Sequence, residues 1–133
     1  MVSAAGSVRV TVGRRRRDAR QAALDVAQLA SGTPVVLVTP APFAGSRSRR
    51  VAAQARIGVE RAYLALPNAD APAYLVENRP AAFGVFVEAM PVPPGSGIRS
   101  AVRGLMLSAV RAFRPRRLVG ALAAGRVVVG RRL

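Results

Sequence analysis

Apolar and polar positions divide the chain into short alternating elements. Val8, Val10 and Val12 alternate with Arg9 and Thr11, the period-two pattern of a short half-buried strand. Asp18 stands where a helix cap belongs, and Ala19, Ala22, Ala23, Val26, Leu29 and Ala30 then recur at helical spacing until Ser31 and Gly32 stop them. Val35 to Val38 is an unbroken apolar run between Pro34 and Pro40, rich in β-branched residues, and reads as a buried strand. A helix feeding a fully apolar strand predicts an α/β sheet covered on both faces.

Pro40 to Ser48 reads as a loop, and a short helix is expected over Arg49 to Arg56, ended by Gly58. Residues 58–66 and 72–77 read as two strands joined by a five-residue turn, a hairpin. Arg79 to Met90 follows as a helix with Asn78 as cap and an apolar face of Phe83, Val87 and Met90. Three prolines and two glycines in Pro91 to Gly97 then mark a boundary. A final strand is expected over Arg126 to Gly130, and there is no internal repeat.

Beyond the boundary, Ile98 to Arg114 is amphipathic. Ile98, Val102, Leu105, Met106, Ala109 and Phe113 share one helical face, and Arg99, Arg103, Arg111 and Arg114 occupy the remainder. Pro115 ends the helix and Arg116 and Arg117 follow it. The plain structural reading docks Ile98, Val102, Leu105 and Phe113 against the domain and leaves the arginines in water. Two functional readings stand beside it. The stripe and its arginines suit an anionic membrane surface, and the same arginines suit the phosphates of a nucleic acid without reading bases.

Charge sharpens both. All 21 basic residues among the 133 are arginine, six acids oppose them, and the formal charge is +15. Each arginine is a permanently charged planar donor matched to phosphate. Arg14, Arg15, Arg16 and Arg17 add a second basic cluster just ahead of the first helix, able to grip phosphate non-specifically. A solvated loop is the plain reading of that cluster.

The apolar half of the composition is small in volume: 26 Ala and 20 Val against four Phe, two Tyr and no Trp. Such a core buries little area per residue. Cysteine and histidine are absent, which excludes disulfides, thiolate nucleophiles, Cys or His zinc sites and a histidine base. Glu60 and Glu77 fall on the two hairpin strands and are the nearest thing to a facing carboxylate pair, although neutralising Arg61 or Arg79 explains them as well. Asp18 and Asp25 lie among arginines as local charge compensation. No nucleotide-binding glycine motif occurs, and Gly95-Ser96-Gly97 lacks the preceding strand that one needs. No catalytic or metal-binding residue is assigned.

One stretch carries a family likeness. Arg56-Ile57-Gly58-Val59-Glu60-Arg61-Ala62-Tyr63-Leu64-Ala65-Leu66-Pro67-Asn68, followed by Ala71-Pro72-Ala73-Tyr74-Leu75-Val76-Glu77, resembles the tail of class I SAM-dependent methyltransferase-like proteins. Actinobacterial members associated with polysaccharide synthesis come closest. In that family a helix and buried strand lead into a final antiparallel hairpin at the sheet edge, the order read here over residues 18–77. The resemblance implies an α/β fold, a partial three-layer Rossmann-like methyltransferase sheet ending in an antiparallel hairpin and followed by the basic amphipathic helix. It divides the chain into a basic segment 1–17, a partial domain 18–90, a linker 91–97 and a basic helix and tail 98–133. The family's glycine-rich loop and acidic partner match no position, so no cofactor is expected for this chain alone, and S-adenosylmethionine only if a missing amino-terminal half exists.

The expectation is therefore a truncated or degenerate methyltransferase-like protein, inactive by itself, whose partner would be a separate polypeptide completing the sheet. The alternatives are a small arginine-rich anion-binding protein and a translated reading frame without selected function. The location expected is cytoplasmic, with attachment to a membrane surface as an option. No segment has the length or apolar continuity of a transmembrane helix.

Overall fold

The computed structural model describes residues 6–67, 69–89, 97–113, 116–122 and 124–133. Strand β1 (Val8–Thr11) leads through helix α1 (Arg16–Ala27) to β2 (Pro34–Thr39), and helix α2 (Ala44–Gln54) leads on to β3 (Ile57–Leu66). The chain turns back into β4 (Tyr74–Glu77), passes through α3 (Pro80–Ala89), α4 (Ile98–Phe113) and α5 (Arg116–Leu122), and returns as β5 (Gly125–Arg132). The sheet order is β1-β2-β5-β3-β4. β1 and β2 are parallel, whereas β5 runs antiparallel to both neighbours and separates β2 from β3. The fold is thus mixed α/β.

The expected hairpin is present, with Tyr63 opposite Glu77 and Leu66 opposite Tyr74 at the sheet edge. The last strand, in contrast, lies inside the sheet. Its position follows from pairing: Val127 and Val129 each have strand partners on both sides, Val38 and Tyr63 for the one, Val36 and Arg61 for the other. β5 passes β3 closely where β3 bulges between Val59 and Arg61. A Cβ on Gly130 would stand 2.3 Å from the Gly58 carbonyl oxygen, so only glycine fits there.

Helices cover one face among the described residues, which corrects the expectation of a three-layer sheet. Alanines at 19, 22 and 23 let α1 sit close to the strands. With Val26 of α1 and Val51 and Ala52 of α2, they enclose Val35, Leu37 and Val128. Phe83 and Val87 of α3 pack with Leu64 and Val76 on the same face, joined by Val110 of α4 and Val119 of α5. The reason is topological. The crossovers β1-α1-β2 and β2-α2-β3 advance in the same direction, and crossovers of one hand moving one way lay their helices on one side. Among the described residues, the other face has only the turn between β3 and β4 over it, where Ala69 buries Val38 and Ala65.

Several local expectations shift. Asp18 is not the cap residue but the third residue inside α1, whose carboxylate accepts the Arg15 backbone N–H at 3.1 Å. α2 begins five residues earlier than expected, because Phe43 takes a left-handed conformation (φ 56°) and Ser46 donates to its carbonyl. Arg56 (φ 50°), not Gly58, reverses the chain after α2, and Gly58 belongs to β3. α3 has Phe83 and Val87 buried as expected; Met90 and residues 91–96 lie outside the described residues. Tyr74 is exposed and meets Phe86 edge to face, the ring centroids 5.3 Å apart.

Candidate anion-binding surfaces

Two regions present arginine or apolar side chains to solvent. The first is α4. Its stripe was expected to dock, yet it faces water: Ile98 is 84% exposed, Leu105 73%, Met106 64% and Phe113 83%. The helix rests on the domain by nearly the opposite side, where Gly104, Leu107, Val110 and Arg111 are half-buried. Arg111 donates its Nε–H to the Val87 carbonyl at 3.2 Å and so ties α4 to α3. Nine arginines and no acidic side chain follow Glu88 in the sequence. Of the arginines expected here, Arg99, Arg103 and Arg116 lie on α4 and α5 with side chains outside the description, and Arg114 lies outside the described residues.

The second region is a cleft of about 510 Å³ at the carboxyl end of β2. Phe43, Gly45, Ser46 and Arg49 line it from the start of α2; Arg117, Gly120 and Ala121 line it from α5, and Asn78 and Arg126 complete it. Its floor is shaped by small residues. A Cβ on Gly45 would lie 3.1 Å from the Arg126 guanidinium, a tight contact, whereas one on Gly120 would meet it at an ordinary 3.8 Å, so it is Gly45 that makes room for that side chain. Phe43 donates its backbone N–H to the Ala121 carbonyl, joining the loop to α5. The wholly buried Thr39 hydroxyl, on the residue paired with Arg126, has no hydrogen-bond partner among the described residues.

Arg47 anchors the loop beside the cleft. It donates to the carbonyls of Gly13 (2.9 Å), Pro42 (2.8 Å) and Pro40, binding the ends of β1 and β2 to α2. Burial, and then the nearby charge of Arg14, lowers its pKa from the ordinary arginine value. Arg14, Arg15, Arg16 and Arg17 are all exposed at the start of α1 and do not line the cleft; of the arginines singled out from the sequence whose side chains are described, only Arg117 does. Nothing in the sequence marks Arg49 or Arg126 as site residues, and Asn78 reads there only as a helix cap; the fold gathers them from α2, β5 and the turn after β4.

The carboxylates form no catalytic pair among the described residues. Glu60 binds Arg131 at 3.0 Å and Glu77 binds Arg79 at 3.0 Å, and both carboxylates also help to raise the pKa of Arg61, after the larger effect of its hydrogen bond with Tyr63. Asp25 accepts a hydrogen bond from Gln21. No group of acidic residues able to hold a metal occurs among the described residues. Searches against protein-family models, curated proteins and solved structures found no match to the chain.

Proposed function

We propose that this chain is an arginine-rich peripheral protein that attaches to anionic membrane surfaces through α4. The observation that carries this reading is the outward apolar stripe of Ile98, Leu105, Met106 and Phe113, in a stretch of sequence with nine arginines and no acidic side chain after Glu88. Apolar side chains are of no use to a phosphate backbone, whereas an interfacial helix buries them among acyl chains while arginines hold the headgroups. The 16 residues of α4 span about 24 Å at helical rise. No helix among the described residues is long and apolar enough to cross a membrane, so α4 would lie in the interface plane. Sedimentation with vesicles of phosphatidylcholine, with and without phosphatidylglycerol, tests this. Binding to the anionic vesicles alone is expected, with a loss of tenfold or more in the double variant Leu105→Gln/Phe113→Ser. Equal vesicle binding by the variant would reject the reading, as would tight binding to a duplex RNA with none to vesicles.

A second reading has its own observation. The helix-free sheet face presents Val36, Val127, Val129 and Tyr63 half-buried and Leu75 exposed, as would one half of a doubly wound sheet whose remaining helices come from elsewhere. Together with the hairpin resemblance, this favours a truncated methyltransferase-like domain, completed by a separate polypeptide and inactive alone. An in-frame upstream coding stretch containing a strand and G-x-G-x-G would support it. Calorimetry showing S-adenosylmethionine binding to this chain by itself would contradict it.

A further inference from the structure

We infer that the cleft between α2 and α5 is a binding site for a phosphomonoester, distinct from the membrane-facing helix and independent of it. Three guanidinium groups, those of Arg49, Arg117 and Arg126, come to one cavity from three separate elements, and no carboxylate lines it. Arg49 and Arg117 are exposed and Arg126 is half-buried, so the cavity is positive and open to an anion from solution. Arginine also fits phosphate oxygens with its forked donors.

Backbone donors reinforce the cations. The first N–H groups of α2 have no acceptor within the helix. No side chain caps that end, and Gly45 and Ser46 of the same turn form part of the cavity wall. Gly45 keeps the approach open, since any side chain there would meet the Arg126 guanidinium.

The cavity indicates more than an inorganic ion. Its volume of about 510 Å³ lies within the range of small-ligand sites. The exposed ring of Phe43 stands at its wall as a flat apolar surface, and the Asn78 amide belongs to the same lining. A phosphate on a sugar or nucleoside would use both the cationic and the ring-bearing parts. A phosphatidic acid headgroup shares the phosphomonoester chemistry, and the two sources are separable by experiment.

The test is a titration of the ¹⁵N-labelled full chain, in 0.3 M potassium chloride to suppress diffuse binding by the net charge. The probes are inorganic phosphate, ribose 5-phosphate, adenosine 5′-monophosphate and dihexanoyl phosphatidic acid. Saturable shifts at the Gly45, Ser46 and Gly120 amides are expected. At least one organic phosphate should bind tenfold or more tightly than inorganic phosphate; whichever it is, soluble or lipid, identifies the source. Arg117→Gln is expected to weaken binding at least tenfold and Gly45→Leu to abolish it, while Arg14→Gln, outside the cleft, leaves it unchanged. The Leu105→Gln/Phe113→Ser variant is expected to bind as the parent does, which separates this site from the membrane reading. Non-saturable shifts spread over exposed arginines would overturn the inference. So would equal affinity in Arg117→Gln and Arg14→Gln, both of which alter exposed side chains and leave the core intact.

Discussion

Arg111 donates its Nε–H to the carbonyl of Val87, 3.2 Å away, so this arginine of α4 faces inward while Leu105, Met106 and Phe113 point to water. Ordinary burial would seat the helix the other way round. The domain face available to α4 is narrow, however: Phe83, Val87 and Val119 already close the cluster around Leu64, leaving contact for Val110 beside them.

Replacing Arg111 by methionine keeps the aliphatic stem and removes the donor. The Val87 carbonyl loses a charge-assisted bond, a loss of about 1–2 kcal/mol. The variant should show faster amide hydrogen exchange along α4 and the carboxyl end of α3, with α1 and α2 unchanged. Uniform exchange rates in parent and variant would mean that the bond does not hold the helix.

Gly130 is fixed by its neighbour, not by conformation. Because a Cβ there would fall 2.3 Å from the Gly58 carbonyl oxygen, the Gly130→Ala variant must part β5 from β3 at the bulge. A loss of about 2–3 kcal/mol is expected in urea unfolding, at the upper end of overpacking costs. For a core made mostly of Val and Ala, that is a large share of the stability of a small domain.

Arg47 tests the scaffold beneath the cleft. Lysine at this position cannot fork to the Gly13, Pro40 and Pro42 carbonyls together, and Arg47→Lys should lower stability by about 1–2 kcal/mol. The pH dependence has a definite sign. A base whose pKa is lowered in the fold binds fewer protons folded than unfolded, so its titration adds stability as pH rises through the alkaline range below the ordinary arginine value. Nothing of this reaches neutrality, and histidine and cysteine are absent. Unfolding free energies from urea titrations between pH 6 and pH 9 should therefore stay within about 0.5 kcal/mol of one another.

The elements legible in the sequence were those written in local pattern. Alternation and turn residues placed β3 and β4 within a residue or two, and the apolar run of Val35 to Val38 placed β2. The stripe of α4 is legible in the sequence but the side that docks is not, because periodicity says which residues share a side and not what lies against it. The insertion of β5 between β2 and β3 depends on partners some 60–90 residues away, which no local signal records. The single covered face follows from crossover direction and is invisible until strand order is known. The cleft escaped notice for the same reason: Arg49, Asn78 and Arg126 meet only through the tertiary fold, while the conspicuous cluster Arg14 to Arg17 stays outside it.

The absence of cysteine permits the most direct test of membrane attachment through α4. A single cysteine introduced by Leu105→Cys would carry an environment-sensitive fluorophore, and a second protein labelled through Gln54→Cys, on the far helix α2, would serve as reference. With phosphatidylglycerol vesicles containing a quencher on the acyl chains, strong quenching is expected at position 105 and little at position 54. Equal quenching at the two positions, or a position-105 label that remains in water while the protein is vesicle-bound, would contradict the account.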